Sequence, residues 1–221
     1  MLEKGVPEGL ISVIYNGIKT KSEISQPETL KLTTDTFNIG CIGTVCGRKN
    51  QQLLIKALQQ LRASEFDFHC VLIGEDQGEY ATRMKRYVAE HDLGEHILFT
   101  GVLSDASQHL TQFDLLVLPT LSEGLPLTII EAYRENTLVA ASDIPECREL
   151  VVERETGFLF DANSVEELAQ TIVRISRLST AEKQSIQTLA HNKYISQFTS
   201  DSMLAKYTDL YVTLCKAAGA G

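Results

Sequence analysis

The chain has 221 residues, 43% of them hydrophobic and 22% charged, a globular composition sufficient for one sizeable core. Its formal net charge is −9, with both signs interspersed and no basic block, so neither nucleic acid nor an anionic lipid surface is an expected partner. No apolar run nears the roughly 18 residues that span a bilayer, and the opening MLEKGVPEGL lacks a signal-peptide layout, so a cytoplasmic protein is expected.

The first 36 residues read as a linker or edge segment: ISVIYNGI suggests a strand and turn, and KTKSEISQPETLKLTTDT is polar and weakly patterned. From residue 37 to 221 the pattern is that of one domain. Short apolar runs at 37–44, 68–74, 96–101, 113–119, 137–142 and 157–160 are mostly continuous rather than alternating, as expected of strands covered on both faces. Helical patterns fall between them. NQQLLIKALQQLRA places Leu53, Leu54, Ala57, Leu58 and Leu61 at helical spacing, and EYATRMKRYVAEH, SDASQHLTQ, the stretch after Pro126 and PECRELV follow in turn. Strands alternating with short helices predict right-handed βαβ units, hence a Rossmann-like parallel sheet of about six strands with helices on both faces. NSVEELAQTIVRISRL, opened by an Asn/Ser cap, and two further helical stretches complete the domain.

Cys41, Cys46, Cys70, Cys147 and Cys215 are odd in number and form no C-x-x-C pair, so a disulfide framework is not expected. His69, His91, His96, His109 and His191 lack the i, i+4 spacing of a zinc helix, and no metal site or cofactor is expected. Cys147 falls in the first turn of PECREL, where a helix dipole would lower its pKa. No catalytic role is expected of it.

In an open parallel sheet, ligands bind outside the carboxyl ends of the strands. FDLLVLP leads into TLSEG and then Pro126, a residue suited to the first helical position. The N–H groups of Leu127, Thr128 and Ile129 would lack intrahelical acceptors and offer an anion site fit for a phosphate. Gly124 would let the backbone approach the guest, and the Thr128 hydroxyl would add a donor. Glu131 lies on the same helical face and leans toward the ligand end, where a carboxylate suits a ribose diol. The plainer alternative pairs Glu131 with Arg134 on the helix surface and leaves Glu123 compensating the helix dipole. A second loop, TVCGRKN, supplies Gly43, Gly47, Arg48 and Lys49 at the same sheet edge, but matches neither the dinucleotide nor the P-loop fingerprint.

The ordered series FTG…FDLLVLPTLSEGLPLTIIEAYRENTLVAASDIPECRELV…TGFLF resembles the donor-binding half of retaining, GT-B-fold glycosyltransferases of family 4, whose Glu-x7-Glu motif corresponds to Glu123 and Glu131. IGTVCGRKNQQLLIKAL is similar to the family's first strand, cationic loop and helix, and VIYNGI to its interdomain linker. The resemblance implies that Glu123 approaches the donor sugar and Glu131 binds the ribose. It implies that backbone around Leu127 and Thr128 cradles the diphosphate, that Lys49 neutralises it, and that backbone at Val102 and Leu103 walls the base pocket. Gly43 and Thr44 belong to the donor-binding loop. Many members carry arginine where this chain has Thr44, so one cation is absent unless Arg48 folds inward.

The implied reaction moves a sugar from a nucleoside diphosphate, with UDP favoured, to a carbohydrate or lipid-linked hydroxyl in polysaccharide or glycolipid synthesis. It is metal-independent, with Glu123, Lys49 and Arg48 as the catalytic set. The acceptor domain of such enzymes precedes the linker, so it is expected to lie outside these residues together with any membrane contact, leaving a donor-binding module without turnover. A glycosidase carboxylate pair fits less well. The rise from Pro126 to Glu131 alone is roughly 7.5 Å, against the ~5 Å of a retaining pair. Finally, SMLAKYTDLYVTLCK carries Leu204, Tyr207, Leu210, Tyr211 and Leu214 as a stripe expected to pack back on the domain or to mediate self-association.

Overall fold

The computed structural model describes residues 11–20, 30, 32 and 35–219. Among these, the strands are β1 (Phe37–Ile42), β2 (Phe68–Ile73), β3 (Ile97–Gly101), β4 (Leu115–Leu118), β5 (Leu138–Ser142) and β6 (Phe158–Phe160). The helices are α1 (Gln51–Ala63), α2 (Glu79–Glu90), α3 (Leu127–Arg134), α4 (Pro145–Arg148), α5 (Val165–Ser176), α6 (Thr180–Gln197) and α7 (Ser200–Gly219). The strands form one parallel sheet in the order β3-β2-β1-β4-β5-β6. The predicted α/β class and six strands are therefore observed.

The continuous apolar strands are explained by a core on each face. In β4, Leu115 and Val117 join the core under α1, α2 and α5, while Leu116 and Leu118 join the core under α3 and α6. β5 splits the same way, Leu138 and Ala140 from Val139 and Ala141. Successive side chains alternate sides, and because both sides are dry the sequence shows no alternation. Ser179 and Glu182 start α6 with a reciprocal capping box, satisfying two donors at that helix end.

One expectation needs correction and two gain detail. SDASQHLTQ forms a 3-10 segment, Ala106–Gln112, not an α-helix. Asp105 precedes it in the left-handed region at φ 57°, with its carboxylate accepting from Ser107 and Gln108, so local side-chain bonds compete with a regular helical start. The described part of the 1–36 segment, expected as a linker or edge segment, is docked on the domain. Ile18 forms a parallel bridge with Thr199, its N–H donating to Phe198 O at 2.8 Å, and Tyr15 meets Phe198 edge-on at 5.5 Å. Most of the polar stretch after it, and residues 1–10, lie outside the described residues. Of the two outcomes expected for the α7 stripe, packing back is not seen among the described residues: Leu204, Tyr207, Tyr211 and Leu214 are exposed and Leu210 is half-buried. The helix meets the 11–20 segment through its first turn, where Gly17 N–H faces Met203 Sδ at 3.3 Å.

One central residue has no periodicity to announce it. Gly40 sits in the middle of β1, and a Cβ there would lie 2.3 Å from the ring of Phe113, the residue that ends the 3-10 segment. The crossover from β3 to β4 is thus seated on the bare backbone of β1. Gly40→Ala should overpack this contact and cost about 1–3 kcal/mol, read as a lowered midpoint in urea unfolding with an unchanged slope. A midpoint equal to wild type would show that the ring moves freely.

Candidate functional site

β1 and β4 are paired neighbours, Ile39 opposite Leu115 and Gly40 opposite Leu116, and crossovers leave them toward opposite ends of the sheet. At such a reversal of strand order a ligand crevice is expected outside the carboxyl ends of the strands. The β1 loop begins at Gly43, whose φ of 145° suits glycine. A Cβ there would meet the Lys49 side chain at 3.4 Å. Thr44 is exposed, with its carbonyl taken by Gln51 Nε2 at 2.9 Å. A short 3-10 turn over Gly47–Lys49 then leads into α1.

The two loops are stitched together. Arg48 O accepts from Leu121 N–H at 2.8 Å and from the buried Thr120 hydroxyl at 3.2 Å, and Arg48 Nη1 donates to Ser122 O at 2.8 Å. On that frame Lys49 Nζ lies 2.6 Å from Glu123 Oε1, and Arg48 Nη1 lies 3.4 Å from Oε2. The Lys49 and Glu123 side chains are only 15% and 9% exposed, whereas Arg48 is 55% exposed, so the lysine contact is the better shielded of the two. Arg48 does turn toward the β4 loop, to Ser122 and Glu123. Glu123 is not a lone helix-dipole counter-ion; it is held by both cations.

α3 starts one residue later than predicted, with Pro126 as N-cap. Ile129 N–H is taken by Pro126 O at 3.0 Å, which removes it from the predicted anion site. Among the described residues, Leu127 and Thr128 N–H have no acceptor. Gly124 is exposed with no atom within 4 Å of a would-be Cβ, so nothing in the protein crowds that backbone.

Glu131 is half-buried one turn further along, and its carboxylate accepts no hydrogen bond among the described residues. Burial raises its pKa; the Arg134 charge opposes that rise, and Asp105 and Glu135 add to it. The alternative Glu131–Arg134 surface pair does not form a salt bridge. Arg134 is engaged by Glu135 Oε1 at 2.9 Å, Ser107 Oγ at 2.9 Å and Lys19 O at 3.3 Å. Val102 and Leu103 follow β3, the first 72% exposed and the second packed on the α3-side core. The fold thus gathers the β1 loop, the β4 loop and the start of α3 into one crevice, with the β3 loop coupled to it through the charges of Asp105 and Glu131.

Cys147 corrects another expectation. Its thiol is fully buried and its pKa is pushed up to about 12, first by burial and then by the charge of Glu123. Desolvation outweighs the dipole of a four-residue helix, and the thiol stays protonated. Among the described residues no group of three or more His, Cys, Asp or Glu side chains is placed to hold a metal ion, and no helix is long and apolar enough to cross a membrane. Sequence reasoning missed Thr120, Asp105 and the ties of Arg134. Thr120 and Arg134 have partners up to 115 residues away, which leave no local signal, and Asp105 bonds only its own loop but meets Glu131 through the fold.

A family profile described as "Glycosyl transferases group 1" matches residues 23–192, well over half the chain. The chain belongs to that glycosyltransferase family. It is 32% identical over 137 residues to a lipopolysaccharide core biosynthesis mannosyltransferase of Rhizobium leguminosarum bv. viciae, covering 61% of this chain and 39% of that protein. It is 25% identical over 213 residues to an Escherichia coli UDP-Gal:alpha-D-GlcNAc-diphosphoundecaprenol alpha-1,3-galactosyltransferase, covering 92% and 54%. A glycosyltransferase structure from Rickettsia africae superimposes with a TM-score of 0.87 at 26% identity, over 96% of this chain and 59% of that one. The chain thus spans between about two-fifths and three-fifths of these relatives' length. The sheet order and these relatives mark it as a Rossmann-like half of the GT-B type.

The environment of Glu131 has a consequence for stability. Its pKa in the folded state lies above the unfolded value, so the folded state binds more protons between the two, and stability falls as pH rises through that window. Glu131→Gln removes the burdened charge and should raise Tm at pH 7.5 by about 1–3 °C. The gain should vanish below about pH 4, where the carboxyl is protonated in both states. A lower Tm at pH 7.5 on thermal unfolding would contradict this account.

Proposed function

We propose that this chain is the donor-binding half of a retaining glycosyltransferase of family 4, holding a nucleoside-diphosphate sugar in the crevice between the β1 and β4 loops. The observation that carries the reading is the joint presentation of Lys49, Arg48 and Glu123 beside two acceptor-free N–H groups at the start of α3. In this reading the N–H groups of Leu127 and Thr128 and the cations Lys49 and Arg48 hold the diphosphate. Glu131, partly desolvated and without a hydrogen-bonding partner among the described residues, takes the ribose hydroxyls, and Val102 and Leu103 border the base.

As the bond from sugar to diphosphate breaks, negative charge grows on the leaving group, and donors already fixed in place stabilise it without reorganising. The chain's own cations and helix terminus meet that charge, so the proposed reaction needs no metal. UDP is the proposed carrier. The acceptor is a carbohydrate or lipid-linked hydroxyl, consistent with relatives named for lipopolysaccharide core and diphosphoundecaprenol substrates. A second reading concerns these 221 residues by themselves: a module that binds donor without turnover, because transfer needs donor and acceptor held in near-attack geometry.

In thermal-shift assays, UDP at about 100 times its dissociation constant should add roughly 2.7 kcal/mol of stability, with GDP and ADP adding less. Lys49→Ala should weaken UDP far more than uridine, and the 221 residues assayed alone should transfer little sugar. Equal losses for UDP and uridine would remove Lys49 from the diphosphate site, and robust transfer would refute the second reading.

The ion pair makes a further demand. In the free protein, Glu123 occupies the cation that the diphosphate requires, so binding exchanges one anion for another. Glu123→Gln should therefore tighten UDP by about tenfold, the scale of one charge-assisted hydrogen bond. Calorimetry showing weaker UDP binding in this variant would overturn the exchange.

A further inference from the structure

Arg134 lies one turn beyond Glu131 on α3, at the end of the helix away from the crevice, and none of the roles assigned above uses it. Its side chain is 15% exposed and reaches three separate segments: Glu135 beside it, Lys19 O on the docked N-terminal segment, and Ser107 in the 3-10 stretch after β3. Ser107 Oγ donates in turn to Asp105 Oδ1 at 3.4 Å, and Gln108 Nε2 donates to the other oxygen of the same carboxylate. Asp105 is held in the left-handed region two residues past Leu103, so the loop of Val102 and Leu103 ends in a knot of side-chain bonds. Arg134 is what fastens that knot to the helix bearing Glu131.

We propose that Arg134 is a positioning residue for the nucleoside end of the crevice, acting through Ser107 to hold the 102–107 loop at a set distance from Glu131. The inference rests on the reading of the crevice as a nucleoside-diphosphate site and extends it to how base and ribose are aligned. The base-side loop carries Val102 at 72% exposure, so little of that side chain is packed. A guanidinium suits this task because its planar fork bonds several partners in fixed directions, which an ammonium cannot do. The same guanidinium offsets the acidic surroundings of Glu131, which are Asp105 from the loop and Glu135 from the helix end, and so favours the ionised carboxylate that accepts hydroxyl hydrogen bonds.

The test compares Ser107→Ala, Ser107→Thr and Arg134→Lys in the full chain, by calorimetry with UDP, GDP and inorganic pyrophosphate. Ser107→Ala cuts the tie from the loop side and leaves the bonds of Arg134 to Glu135 and Lys19 in place. The expected result is a three- to tenfold loss of UDP affinity, a narrowed ratio of UDP to GDP, unchanged pyrophosphate binding, and recovery in Ser107→Thr, which keeps the hydroxyl. Arg134→Lys should follow Ser107→Ala. If Ser107→Ala binds all three ligands as wild type does, or loses UDP and pyrophosphate equally, the positioning role is overturned. Wild-type protein that binds pyrophosphate but no nucleotide would sink the donor-site reading itself, an outcome visible before any variant is made.

Discussion

The pairing of β1 with β4 is the contact from which the rest of the molecule takes its geometry. Crossovers from β1 run toward β2 and β3, and those from β4 run toward β5 and β6, so the strand order reverses between them and a ligand crevice is expected at their carboxyl edge. By their register the two strands end at the same level, each with cores on both faces. The crevice is a consequence of strand order, available before any polar residue is chosen. The chemistry then depends on which side chains the two loops carry.

Keeping those loops in register takes more than strand pairing. Gly40 allows Phe113 to lie on β1, which brings the chain into β4 at the right height. Thr120 and the backbone of Leu121 both bond Arg48 O, clamping the β4 loop to the β1 loop before any charged head group meets another. Lys49 and Glu123 then face each other in a partly dry setting, where an unpaired charge would be costly and the pair compensates itself. In the free protein the crevice stores its cations against its own carboxylate. Glu131, by contrast, accepts no hydrogen bond among the described residues, and its burial outweighs the favourable charge of Arg134. A group that lowers stability while waiting at the mouth of a crevice is a common mark of a binding site.

The periphery follows a different logic. The segment at 11–20 is fastened by backbone bonds to the joint between α6 and α7 and by Arg134 and Tyr194 to Lys19 O, so chain entering the domain and helix leaving it meet at one place. Beyond that joint α7 carries Leu204, Tyr207, Tyr211 and Leu214 exposed among the described residues. An amphipathic pattern records only that a helix has an apolar side.

Much of the fold could be read from the chain. Continuous Val, Leu, Ile and Ala runs separated by 3.6-residue periodicity are sufficient for a parallel sheet between helices, because burial on two faces leaves that composition. Pro126, the two glutamates and the Arg48–Lys49 pair were likewise visible as a set of charges near two helix starts. What the sequence could not contain is their mutual arrangement. The clasp of Glu123 by cations over 70 residues earlier, the loss of Ile129 N–H to Pro126, the raised pKa of Cys147 and the ties of Arg134 to Ser107 and Lys19 all depend on which backbone passes within 3 Å of which side chain. Local patterns are set by the periodicity of a helix or strand along its own axis. Hydrogen bonds and desolvation are set by distances across the sheet edge, and only the packed tertiary structure decides those.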